Sequence, residues 1–151
     1  MLLSLNKDCF RKGRRLCVYR NNFIKGRKTL FFIHDLGQCA ATWQSTWRHL
    51  SDRYNVIAYD MIGHGMSDAP ASYRSYSISE QIFDAQAVFE RYKTKNMVLL
   101  GHGYGAIIGL LLAKIYTKEV CKVVFVTPDK YEGKPLKLKY SLPVWGLRLL
   151  F

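Results

Sequence analysis

Five residues, Gly101-His102-Gly103-Tyr104-Gly105, separate an apolar run (Met97-Val98-Leu99-Leu100) from a second apolar stretch reaching Ala113. A buried strand, a sharp turn and an apolar helix, in that order, form the frame that lifts a reactive side chain above the edge of a sheet. With serine in third place the turn would read G-x-S-x-G, in which a hydroxyl attacks a carbonyl carbon. The third residue here is Gly103, which has no side chain to attack with. Glycine also accepts the strained backbone of such a turn without the usual penalty, so a plain tight strand-to-helix turn explains it equally well.

Two further loops stand after apolar runs. His34-Asp35-Leu36-Gly37 follows the β-branched and aromatic run Thr29 to Ile33, and Asp60 to Asp68 follows Asn55 to Tyr59. Arg15 to Tyr19 reads as a strand, and Lys122 to Val126 as a fourth buried strand of the Thr29, Asn55 and Met97 kind. Between them, Thr42 to Leu50 carries Trp43, Trp47 and Leu50 at helical spacing. Ser77 or Ser79 can cap a helix running through Lys93, with Ile82, Phe83, Val88 and Phe89 on its apolar side. Continuous apolar strands alternating with helices predict an α/β fold, a mostly parallel sheet with helices on both faces.

The chain of 151 residues suits one domain, and no apolar run approaches the ~20 residues that cross a bilayer. Cys9, Cys17, Cys39 and Cys121 have no C-x-x-C spacing, so the sequence predicts free thiols, no zinc or other metal site and an intracellular setting. The net charge of +12 gathers at Lys7, Arg11, Lys12, Arg14, Arg15, Arg20, Lys25, Arg27 and Lys28, and again at Lys130 to Lys139. One reading is attraction to an anionic membrane surface, which makes the chain cytoplasmic or membrane-peripheral; no nucleic acid partner is expected. The other is a solvated face that protects a sheet edge. An Arg-rich, acid-poor start also admits a mitochondrial presequence, against which the Arg15 to Tyr19 strand speaks. From Tyr131 onward the pattern is basic and then apolar, through Trp145 to Phe151, and it reads as cut short.

Three loops together carry a resemblance: Leu30-Phe31-Phe32-Ile33-His34-x-Leu36-Gly37, Tyr59-Asp60-x-x-Gly63-His64-Gly65-x-Ser67, and Leu99-Leu100-Gly101-His102-x-Tyr104-Gly105. Over residues 15 to 151 the chain resembles the α/β-hydrolase fold family, and within it the abhydrolase-domain proteins with lipid-related neighbours. The resemblance implies serine-hydrolase chemistry on esters or lipids, no cofactor, and an acyl or ester ligand. It implies that the backbone N–H groups of Leu36 and Tyr104 form an oxyanion hole, each donor contributing about 3 kcal/mol to the transition state. His34 and His102 are expected to pack around that loop and the elbow. Asp60, Gly63, His64, Gly65 and Ser67 form a mainly architectural loop.

The departures from that pattern agree with one another. Gly103 lacks the nucleophile. Asp35 stands where the family has glycine, and its carboxylate beside Leu36 would oppose a developing oxyanion. A role for Asp35 as general base lacks an oriented partner. The family's later Asp and His have no match here. The expected organisation is a basic segment at 1–14, the N-terminal part of the hydrolase core at 15–128, and the start of a cap at 129–151. The expected function is that of a family member without catalysis. Alternatives are a partial or variant form of an active serine ester or acylglycerol hydrolase or acyltransferase, and a basic module for a membrane surface or a protein. The sheet edge at Lys122 to Val126 is expected to self-associate.

Overall fold

The computed structural model describes residues 4–126, and for 4–9 the backbone alone. Its elements, in chain order, are β1 (Ser4–Arg11), β2 (Arg14–Arg20), β3 (Thr29–Ile33), α1 (Gln44–Leu50), β4 (Asn55–Tyr59), α2 (Ile78–Tyr92), β5 (Met97–His102), α3 (Tyr104–Ile115) and β6 (Val120–Val126). Short 3-10 turns lie at Ala40–Trp43 and Tyr73–Tyr76. The strands form one sheet in the order β1-β2-β4-β3-β5-β6. From β4 to β6 every pairing is parallel, while β1, β2 and β4 pair antiparallel.

Because β3 and β4 are covered on both faces, apolar residues fill nearly every position, and both strands are buried along their whole length. Phe31, Ile33, Ile57, Tyr59 and Leu99 face α2 and α3, where Ala85, Val88, Phe89, Ile108 and Leu112 meet them. Leu30, Phe32, Val56 and Ala58 face the other way, against Ala40, Trp43 and Trp47. Phe31 stacks on Tyr59 at 5.6 Å and meets Phe89 edge-on at 5.9 Å. Each such buried side chain contributes roughly 1.5–3 kcal/mol. This is the expected α/β arrangement, with helices on both faces.

Several elements differ in detail from the sequence reading. The Thr42 to Leu50 pattern divides into a 3-10 turn and a short α1. Helix α2 begins after Ser77, whose hydroxyl accepts from Glu80 N–H, so Ser77 rather than Ser79 is the cap. Strand β6 was expected to be buried throughout, but only Val123 is. Among the described residues β6 is the last strand of the sheet and pairs with β5 alone, so only part of it is covered. The basic N-terminal run holds a strand, β1, whose hairpin with β2 closes through Lys12-Gly13. The cap stretch and Trp145 lie outside the described residues. Among those described, no helix is long and apolar enough to cross a membrane.

Candidate functional site

Strand β5 ends at His102 and α3 begins at Tyr104, so the whole reversal falls on Gly103, with φ 51° and ψ −117°. That φ is costly for any side-chain-bearing residue. The helix then returns directly over the sheet because two neighbours are also glycine. A Cβ on Gly101 would overlap the backbone of Ala106, and one on Gly105 the carbonyls of Ile33 and His34. This close approach brings the first N–H of α3 to the loop after β3.

Asp35 occupies the junction. Its Oδ1 accepts from Leu36 N–H at 2.8 Å and from Tyr104 N–H at 2.7 Å. A Cβ built on Gly103 would overlap the same carboxylate. The acid therefore fills the space that a side chain at 103 would need, and both N–H donors aim at one of its oxygens. A carbonyl oxygen approaching these donors meets a carboxylate already bound there.

His34 holds the loop from below. It is fully buried; its Nδ1–H donates to the Asp35 carbonyl at 2.7 Å, and its Nε2 accepts from Met61 N–H at 2.9 Å. Only the neutral ring can do both. Burial, helped by the nearby His64, pushes its pKa down to about 4. The rings of His34 and His64 lie 5.2 Å apart. His64 accepts from Gly37 N–H through Nε2 at 3.1 Å and donates from Nδ1 to the Ile62 carbonyl at 3.0 Å. Both nitrogens of both rings are thus committed to backbone.

The loop after β4 is built on the buried Asp60. Its Oδ1 accepts from Ala40 N–H at 2.7 Å, and its Oδ2 from Met66 N–H at 2.9 Å and the Tyr19 hydroxyl at 3.1 Å. Gly65 lies directly over this carboxylate, and Gly63 over the Tyr76 ring. The Ser67 hydroxyl donates to the Asp60 carbonyl and accepts from Cys17 N–H at 2.9 Å, tying the loop to β2. His102 donates from Nδ1 to Gln38 Oε1 at 3.0 Å and meets the Trp43 ring edge-on at 6.4 Å.

The structure thus brings Asp35, Leu36, Gly103 and Tyr104 into contact, with Gly101 and Gly105 beneath them. His34, His64, Gly37 and Asp60 form a supporting layer, while Ser67 sits on the β2 side. Gln38 and Trp43 were not foreseen beside His102, since only folding of the loop after β3 brings them there. Among the described residues, no group of three or more His, Cys, Asp or Glu is arranged to hold a metal ion. Cys17, Cys39 and Cys121 are in no disulfide among the described residues.

A sequence profile described as alpha/beta hydrolase fold matches residues 28–145. The chain is 37% identical over 133 residues to Protein ABHD8 of Bos taurus, covering 83% of this chain and 29% of that protein. It is 28% identical over 102 residues to Epoxide hydrolase 4 of Mus musculus, covering 68% and 28% respectively. The crystal structure of an alpha/beta hydrolase from Novosphingobium aromaticivorans superposes with a TM-score of 0.76 at 19% identity, over 82% of this chain and 43% of that one. The chain therefore spans less than a third of the length of the curated relatives it matches, and the last likeness concerns the fold alone.

Proposed function

The chain belongs to the alpha/beta hydrolase fold family, and on that premise we propose that it is a member of the lipid and carboxylic-ester type whose hydrolytic site is closed by its own Asp35. The observation that carries this reading is the single carboxylate oxygen shared by Leu36 N–H and Tyr104 N–H above a glycine elbow. In an acyl-transfer enzyme these two donors would stabilise the oxyanion, at about 3 kcal/mol each. Here a permanent acceptor of the same charge stands in that place. The nucleophile and the oxyanion position are lost together, because one side chain now fills the space of both.

Acyl esters and carboxylates remain the ligand class for which two convergent N–H donors are suited, once Asp35 is removed. The test is turnover of a short p-nitrophenyl ester, together with labelling by a serine-directed fluorophosphonate. The wild-type chain is expected to give neither above buffer. Gly103→Ser alone should also remain unlabelled, since its hydroxyl has no room beside Asp35. Ester turnover by the wild-type chain that disappears in Asp35→Ala would overturn the proposal and make Asp35 a participant.

A further inference from the structure

The basic N-terminal run suggests a diffuse charged face, but its described part converges on one place. Arg11 and Arg14 from the β1–β2 hairpin, and Lys12 from its tip, all reach Glu80 on α2. Arg14 also pairs with Asp84 at 2.8 Å, and Arg11 lies 3.3 Å from its second oxygen. Asp84 is almost wholly buried, and burial pushes its carboxyl above the usual range in spite of both arginines. Three cations thus surround two carboxylates, and Arg74 stands on the neighbouring 3-10 turn. Arg74 is exposed and carries no ion pair among the described residues. The hairpin tip is itself unusual, because Lys12 adopts φ 51° where glycine or asparagine is the ordinary choice.

Between the hairpin tip and the Tyr73–Tyr76 turn lies an open cleft of about 610 Å³. Lys12, Arg14, Arg74 and Glu80 line it together with Tyr73 and Tyr76, an excess of two positive charges. No residue of the elbow or of the loop after β3 is among its walls. Arg14 is 11% exposed and pinned by two carboxylates, a fixed cation, while Lys12, 62% exposed, pairs with Glu80 alone. One fixed and two exposed cations, beside an aromatic wall, match a doubly charged oxyanion carrying an apolar or aromatic body. We propose that this cleft binds a phosphate monoester, with its dianion among Lys12, Arg14 and Arg74 and its body against Tyr73 and Tyr76.

The phosphate can belong to a soluble ester or to a lipid headgroup, and the test separates the two. Binding of phenyl phosphate to the 151-residue chain is followed by titration calorimetry, beside co-sedimentation with phosphatidylcholine vesicles that do or do not contain phosphatidic acid. Wild-type chain is expected to bind phenyl phosphate saturably. Binding should tighten as the second phosphate proton leaves near pH 6, and weaken with salt. Arg74→Ala should bind about tenfold more weakly with an unchanged melting temperature, while Lys118→Ala, remote from the cleft, should bind as wild type. Vesicle binding that phenyl phosphate competes away assigns the headgroup, and no vesicle binding assigns a soluble ester. Absence of saturable binding, equal loss in Arg74→Ala and Lys118→Ala, or vesicle binding indifferent to both phenyl phosphate and Arg74→Ala would each overturn the proposal.

Discussion

At the scale of single residues, Asp35 and Gly103 behave as one feature, because the carboxylate lies where a Cβ at 103 would be. Gly103→Ser must place a side chain at φ 51° and force the carboxylate off its two donors, a cost of about 2–4 kcal/mol. Asp35→Gly alone loses the bonds to Leu36 and Tyr104, roughly 1–3 kcal/mol. The overlap is removed only once, so the double variant should exceed the sum of the singles in stability by at least about 1 kcal/mol in urea unfolding. Strict additivity would mean that the two residues do not compete for one space. His34 supplies a pH-dependent term. Its ordinary pKa of 6.5 falls to about 4 in the folded chain, so between those values the unfolded state binds the extra proton. The stabilisation is full above about pH 6.5 and is lost as pH falls toward 4, by up to roughly 3 kcal/mol. His34→Gln should flatten that part of the stability profile, and an NMR titration should find the ring neutral down to about pH 5. The turn at Gly103 was legible in the sequence, because five neighbouring residues encode it. The seat of the Asp35 carboxylate was not, since it depends on two loops, 69 positions apart, closing on each other.

At the scale of elements, the elbow works because the first turn of α3 lies against the ends of β3 and β5 with no side chain between them. Gly105 carries this contact, as a Cβ there would overlap the carbonyls of Ile33 and His34, and neither backbone can yield cheaply. Gly105→Ala should cost more than about 2 kcal/mol in chemical denaturation and disturb Asp35, because moving α3 also moves Tyr104 N–H. A near-neutral substitution would show that the helix can slide. Strands β3 and β4 were readable to the residue, since a strand covered on both faces is apolar throughout, and that pattern is local. Helix α2 was legible in its apolar spacing, while the sequence left its cap open between Ser77 and Ser79; the structure sets Ser77 Oγ against Glu80 N–H. Strand β1 left no such mark. Its residues Ser4–Arg11 mix charged, polar and apolar types, and what pins the hairpin is the ion-pair partners on α2, some 70 positions away.

At the scale of the whole molecule, the balance between charge and sheet edge decides how copies of the chain behave together. Among the described residues β6 pairs only with β5, and Val123 is its one buried side chain, while Val126 is 39% exposed. A strand covered on one side offers its free backbone groups to another strand. Against this stands a net charge of +12, which makes two copies repel at low ionic strength. The screening length shrinks from about 10 Å at 0.1 M salt to about 3 Å at 1 M, which removes most of the repulsion but leaves apolar and backbone pairing intact. Self-association should therefore strengthen with salt, the opposite sign to the ligand binding proposed for the Lys12–Arg74 cleft. Sedimentation velocity at rising concentration is expected to show a larger average sedimentation coefficient, and a steeper rise at 1 M salt. Val124→Lys, which adds a charge to the edge strand, should suppress the rise. A monomer at every concentration and salt level would mean that the β6 edge is covered within the chain itself.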